Sequence, residues 1–211
     1  MKNDPDKLPR FTAAERTNHW LVAINFFLAA LSGLVFFHPF FFNPLSLLFN
    51  SGTWARILHP FFGVAMIFLF GAMFFRFRGL CAMTPSDWEW LGHLRDIING
   101  DERNMPPAGK LNGGQKMLFW LQTICMVLLI LSGIVIWRAY FSFLFPLWLV
   151  RFSAVVHAAA GWVMVLLIIG HIYMAIWTRE SMDAMLHGLV RRAWAKQHHP
   201  LWFREMSGGG K

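Results

Sequence analysis

Four of the nine histidines stand within predicted membrane spans: His19, His59, His157 and His171. An imidazole held where water cannot solvate it is a candidate functional group by default. His157 and His171 are fourteen residues apart. At about 100° per residue, that spacing falls about 40° short of four helical turns, so both rings leave nearly one face of a helix. They stand about 21 Å apart along its axis, which makes two sites at different depths. Neutral imidazoles facing one another in an apolar bundle are what a six-coordinate haem iron takes as axial ligands.

The elements that must position these rings are membrane spans, each needing about 20 mostly apolar residues. The uncharged stretches predict transmembrane helices over about 17–37, 55–77, 115–137 and 151–178. Pro39, Asn43, Pro44 and the Ser51-Gly52 pair break the first stretch, leaving a short interfacial turn rich in Phe. Sixteen of the 19 Lys and Arg fall in the N-terminal tail, in the connection 76–116 and after residue 178. Only Arg56, Arg138 and Arg151 lie on the other side. That bias places both termini in the cytoplasm. Acidic and basic residues before the first span argue against a cleavable signal peptide. No internal repeat or second domain is expected, so residues 1–211 read as a single membrane domain.

Orientation fixes the pairing. His19 opens the first helix at its cytoplasmic end and His59 opens the second at its outer end. His157 lies near the outer surface and His171 deeper toward the cytoplasm. Depth therefore allows His19 only with His171, and His59 only with His157, since a crossed pair would span about 20 Å. Gly63 and Gly161 each follow a histidine by four residues, on that ligand's own face, and Gly33 lies at the depth of the outer site. Missing side chains there let a flat macrocycle approach the backbone, and the Phe and Trp excess would line its pocket. Zinc fits less well, because each site offers two protein ligands and no neighbouring Cys or carboxylate. Arg56, Arg138 and Arg151 are candidates either for haem propionates or for interfacial anchoring. His38, His93, His187, His198 and His199 read as solvated or surface residues. Trp88 and Trp90 suggest a surface-lying helix, and 179–207 a basic, Trp-bearing interfacial segment with a flexible end from Ser207.

Composition agrees and excludes rivals. The chain has 211 residues, 56% hydrophobic, 14% charged and 17% aromatic, with a formal net charge of +8. It is too apolar to be disordered. The long apolar stretches, with the basic residues outside them, argue against a nucleic-acid partner. Cys81 and Cys125 cannot supply the four thiolates of an iron–sulfur cluster, and no C-x-x-C-H attaches haem covalently. The fold class expected is an all-α membrane protein, a bundle of four transmembrane helices binding two haems b.

Particular motifs add a resemblance. Arg56-Ile57-Leu58-His59-Pro60-Phe61-Phe62-Gly63, Gly114-Gln115-Lys116 and Gly133-Ile134-Val135-Ile136-Trp137-Arg138 carry it. So do His157-Ala158-Ala159-Ala160-Gly161, Trp194-Ala195-Lys196 and His198-His199-Pro200. From about Arg16 to Glu205 the chain resembles the gamma (cytochrome b) subunits of respiratory formate dehydrogenases. It departs from that pattern at Leu111, where Tyr is usual, and at Ala139, where Pro is usual. The resemblance implies two haems b with His19, His59, His157 and His171 as ligands. It also implies a quinone site made of Asn112, Gly114, Gln115 and His171, for menaquinone or ubiquinone. An iron–sulfur beta subunit, a molybdenum or tungsten catalytic alpha subunit, a bacterial inner membrane and a higher-order oligomer of the complex complete the picture.

The expected role is a quinone-reducing electron-transfer subunit, with formate oxidation left to a partner because this chain holds no cluster motif and no molybdenum-cofactor site. The rival within the class is the cytochrome b anchor of a nickel–iron hydrogenase or related reductase. The rival outside it is a haem-free four-helix anchor or small transporter.

Overall fold

Reciprocal caps start the first and third of the long helices. Thr12 and Glu15 form the first: the Thr12 amide donates to Glu15 Oε2 at 2.7 Å and the Glu15 amide to Thr12 Oγ1 at 3.2 Å. A computed structural model describes residues 5–99 and 105–208. Lys2, Arg103 and Lys211, counted above for orientation, lie outside the described residues, as does the end of the tail expected to be flexible.

The element order is β1 (Lys7–Pro9), α1 (Ala13–Leu34), α2 (Pro39–Leu48), α3 (Gly52–Phe77), α4 (Pro85–Gly92) and α5 (Leu94–Ile98). It continues with α6 (Gly113–Ile136), α7 (Leu147–Trp177), α8 (Ser181–Leu186), β2 (Leu189–Arg191), α9 (Arg192–His198) and α10 (Pro200–Met206). Helices α1, α3, α6 and α7 are long and apolar enough to cross a membrane. These are the four expected spans. The chain is accordingly a mostly helical, multi-pass membrane protein.

Three expectations need correction. The fold is not wholly α, because β1 and β2 pair antiparallel with Leu8 opposite Val190. The Phe-rich stretch after α1 is a ten-residue helix and not a turn. Pro39 sits at its start, where a missing N–H costs nothing, and His38 Nδ1 accepts the Phe40 amide at 3.2 Å. The segment 179–207 is not merely interfacial, since Trp194 and Trp202 are buried in a small core with Leu8, Ala184, Val190 and Ala195.

The chain divides into two compact units. One comprises residues 17–75 and 122–169. Here the four long helices share a core of Met66, Phe70, Cys125, Met126 and Met164, with Val22 and Phe26 against it. Two asparagines tie α1 to α3: Asn18 Nδ2 donates to the Leu69 carbonyl at 3.0 Å and Asn25 Nδ2 to the Phe62 carbonyl at 2.9 Å. Such amide bonds hold helices together in lipid, where hydrophobicity gives no contrast between helix and solvent. Much of the aromatic excess faces outward, Phe40, Phe68 and Trp148 among it. The pocket lining expected of these rings is therefore only part of their use.

The other unit joins residues 1–16, 76–121 and 170–211. Gly188, at φ +82°, lets its carbonyl accept the amides of Arg10 and Phe11; a β-carbon there would stand 2.5 Å from the Phe11 carbonyl.

Candidate cofactor site

His59 on α3 and His157 on α7 face one another in the first unit, with ring centroids 6.0 Å apart and planes at 83°. The Ala29 carbonyl lies 3.0 Å from His59 Nδ1 and can only accept, so that nitrogen carries the proton. Ser32 Oγ donates to the Leu28 carbonyl at 2.7 Å and accepts from the same Nδ1–H at 3.1 Å. The arrangement recurs at the second ring. Ser132 Oγ donates to the Leu128 carbonyl at 2.5 Å and accepts from His157 Nδ1–H at 3.0 Å. The Leu129 carbonyl is the second acceptor at His157. Both Nε2 atoms are thereby left with a lone pair, the state a metal needs from a neutral imidazole.

Glycines make room for the rings. A β-carbon on Gly33 would stand 2.9 Å from His59 Cε1, and one on Gly133 would stand 3.3 Å from His157 Cε1. Gly33 thus admits an imidazole, where the sequence reading gave it to the macrocycle. At Gly63 a β-carbon would meet nothing within 4 Å, and at Gly161 only Leu129 Cδ2 at 3.9 Å.

Set out this way, the site exposes a repeat that the sequence reading denied. Leu31-Ser32-Gly33-Leu34-Val35 on α1 matches Leu131-Ser132-Gly133-Ile134-Val135 on α6. His59 with Gly63 and Met66 on α3 matches His157 with Gly161 and Met164 on α7. Each half supplies one Ser-Gly pair and one histidine, and the two methionines meet in the core. Ser32 and Ser132 were the residues missed, and the repeated Leu-Ser-Gly was the signal that would have found them.

The donor set fits haem. Two metal–nitrogen bonds of about 2 Å each, with the imidazole radii added, put bracketing ring centroids about 6 Å apart. Among the described residues, no three His, Cys, Asp or Glu gather as a metal-binding group, so the His59–His157 pair stands without a third protein ligand of those types. Arg56, Arg138 and Arg151 are exposed. His19 lies on α1 with its ring edge-on to Trp20 at 5.5 Å, and His171 is half-buried on α7.

A family model described as prokaryotic cytochrome b561 matches residues 10–188. The chain belongs to the prokaryotic cytochrome b561 family. A cytochrome b of this kind implies haem b. Among its relatives, the chain is 42% identical over 192 residues to the cytochrome b556 subunit of the nitrate-inducible formate dehydrogenase of Escherichia coli, covering 91% of this chain and 88% of that one. It is also 42% identical over 201 residues to a second Escherichia coli formate dehydrogenase cytochrome b556 subunit, covering 95% and 94%. A formate dehydrogenase cytochrome b556 subunit of Haemophilus influenzae is 35% identical over 205 residues, covering 97% and 85%. The resemblance drawn from the motifs is thus to the right group.

In this cytochrome b561 chain, Asn112, Gly114 and Gln115 of the residues expected to hold quinone stand at the start of α6, while His171 stands on α7. Asn112 and Gln115 cap each other: the Gln115 amide donates to Asn112 Oδ1 at 2.9 Å and the Asn112 amide to Gln115 Oε1 at 3.1 Å. Their carbonyl oxygens serve the helix, and their NH₂ groups remain as donors. Gly113 and Gly114 dock this turn on α4, where β-carbons would stand 2.5 Å from the Asp87 carbonyl and 2.8 Å from Trp90 Cζ3. One turn on, Lys116 Nζ meets Asp87 Oδ2 at 2.7 Å. Burial pushes the Asp87 carboxyl up, but hydrogen bonds from Lys116 and Thr84 outweigh it and hold the group below its ordinary 3.8.

His199 departs from the expected surface histidines. It is 2% exposed, and its Nδ1–H donates to the Gly109 carbonyl at 2.7 Å, so its Nε2 accepts from Arg10 Nη2 at 3.0 Å. Arg10 also lies over the Trp194 ring at 4.8 Å. Desolvation, then the Arg10 charge, press the imidazole down to about 3. Its neighbour His198 is half-buried, with its ring centroid 5.1 Å from that of Trp194.

Proposed function

We propose that this chain is the membrane-anchoring, di-haem cytochrome b subunit of a formate:quinone oxidoreductase complex in a bacterial inner membrane, acting as one domain with both termini cytoplasmic. The observation that carries this reading is the His59–His157 pair, with both Nδ1–H groups tethered and the two rings at the spacing of axial ligands. When bound, two haems b would relay single electrons from a periplasmic iron–sulfur beta subunit, itself fed by a molybdenum or tungsten alpha subunit, to menaquinone or ubiquinone near the cytoplasm.

His59 and His157 would hold the periplasmic iron. His19 and His171 would hold the cytoplasmic one, on the depth argument from the sequence. The NH₂ groups of Asn112 and Gln115, with the Gly114 amide and His171, orient the quinone carbonyls at the start of α6. The apolar faces of the four helices exclude water from both irons. Protons for the quinol come from the cytoplasm, so each turnover separates charge. An electron moving inward against a negative-inside potential does work of about 2.3 kcal/mol per 100 mV, which the drop from formate to quinone must exceed. The surface that receives the partner subunits, and contacts within an oligomer of the complex, lie on the same chain.

Purification through a tag on this chain, followed by metal and haem analysis, tests the reading. Two haems b per chain and a molybdenum or tungsten protein in the preparation are expected. A nickel–iron large subunit in its place overturns the formate assignment, and a preparation without haem overturns the cytochrome role.

A further inference from the structure

We propose that Ser32 and Ser132 are a matched pair of positioning residues that set the electron-donating strength of the two histidines at the His59–His157 site. The inference rests on the haem reading of that site and goes beyond it, because nothing in the ligand assignment gives either serine a role. Each hydroxyl sits in the last two turns of its helix and gives its own proton to the backbone four residues back, to Leu28 from Ser32 and to Leu128 from Ser132. That commitment is what makes the oxygen an acceptor. A hydroxyl free to rotate could offer its proton to a histidine nitrogen and stabilise the wrong tautomer; one already spent on a carbonyl can only receive. The Nδ1–H groups of His59 and His157 point at these oxygens at 3.1 and 3.0 Å.

The neighbouring glycine completes the device. Gly33 and Gly133 follow the serines directly, and each lies against the Cε1 edge of the ring its serine holds. A Ser-Gly dipeptide therefore both receives the ring's proton and leaves space for its edge. The same dipeptide stands in both halves of the chain, so the two rings carry the same hydrogen-bond load. An acceptor on Nδ1–H makes the opposite nitrogen a stronger donor, and stronger donation stabilises the higher charge state of a bound iron. The serines thus hold the potential of this site below the value that bare imidazoles would give.

Three variants in the intact complex separate the hydroxyl from its shape: Ser132→Ala, Ser132→Val and Ser132→Thr, the last two nearly isosteric. The readouts are haem per chain, a potentiometric titration of the haem that His59→Ala removes, and the low-spin ferric electron paramagnetic resonance signal of that haem. Ser132→Ala and Ser132→Val should raise its potential and shift its signal, or lose that haem alone, while Ser132→Thr restores both and the other haem stays unchanged. An unchanged potential and signal in Ser132→Ala with two haems bound overturns the proposal. So does equal loss of the haem in all three variants, which would make the site sensitive to shape and not to the hydroxyl. Absence of haem from the unaltered chain is a different result: it defeats the cytochrome reading itself.

Discussion

A β-carbon at Gly33 would stand 2.9 Å from Cε1 of His59, closer than packed atoms tolerate, whereas at Gly133 it would stand 3.3 Å from Cε1 of His157. The two glycines are equivalent in sequence and unequal in tolerance. Gly33→Ala should displace His59, cost about 1–3 kcal/mol as an overpacked site and lower haem content toward one per chain. Gly133→Ala should keep both haems, because a few tenths of an ångström of relief suffices. Haem per chain by pyridine haemochrome decides between them.

Replacing His59 or His157 by Ala should remove one haem of two and spare the other. Reduction by quinol, followed by its difference spectrum, should still occur at the haem of His19 and His171. Loss of both haems in either variant would contradict two separate sites.

Asp87 and Lys116 close the junction of α4 with α6 at 2.7 Å. Because the Asp87 carboxyl is held below its ordinary 3.8, its contribution is complete above that value and disappears as pH falls through the lower folded value. Lys116→Ala should cost about 1–3 kcal/mol, since it leaves a largely buried carboxylate without its charge partner. Hydrogen exchange of residues 84–92 and 113–117 measures the loosening, and an unchanged profile would remove the junction's dependence on this pair.

His199 should make the tails sensitive to mild acid. The unfolded chain binds a proton near 6.5, while the folded one resists until about 3, so the unfolded state holds more protons between those values. Stability in that window falls as pH falls, by up to about 1.4 kcal/mol per pH unit. Limited proteolysis of residues 189–206 between pH 7 and 5 should quicken. His199→Gln should flatten that slope.

How much of this was readable in advance follows from what each feature depends on. The four spans come from local composition: a run without charge must be a helix in lipid whatever surrounds it, because every backbone group has to bond within the segment. Their ends differ from the expected limits by a few residues because charge marks the membrane boundary, whereas caps such as Thr12–Glu15 mark the helix. The candidate ligands were legible for the same reason, as ionisable groups with no water to hold them. The Asn112–Gln115 turn was legible as a motif, and the structure adds that its two side-chain oxygens cap α6.

By itself, then, the sequence determined the class of protein, its four membrane helices and which histidines were unusual, all consequences of composition and periodicity along one strand of chain. Only the tertiary structure decided what stands behind those histidines. Ser32 is 27 residues from His59 and Ser132 is 25 from His157. No helical period connects residues on different helices, so their hydrogen bonds exist only once packing has brought the helices together. The same holds for Arg10 and His199, 189 residues apart, whose burial requires the two tails to meet.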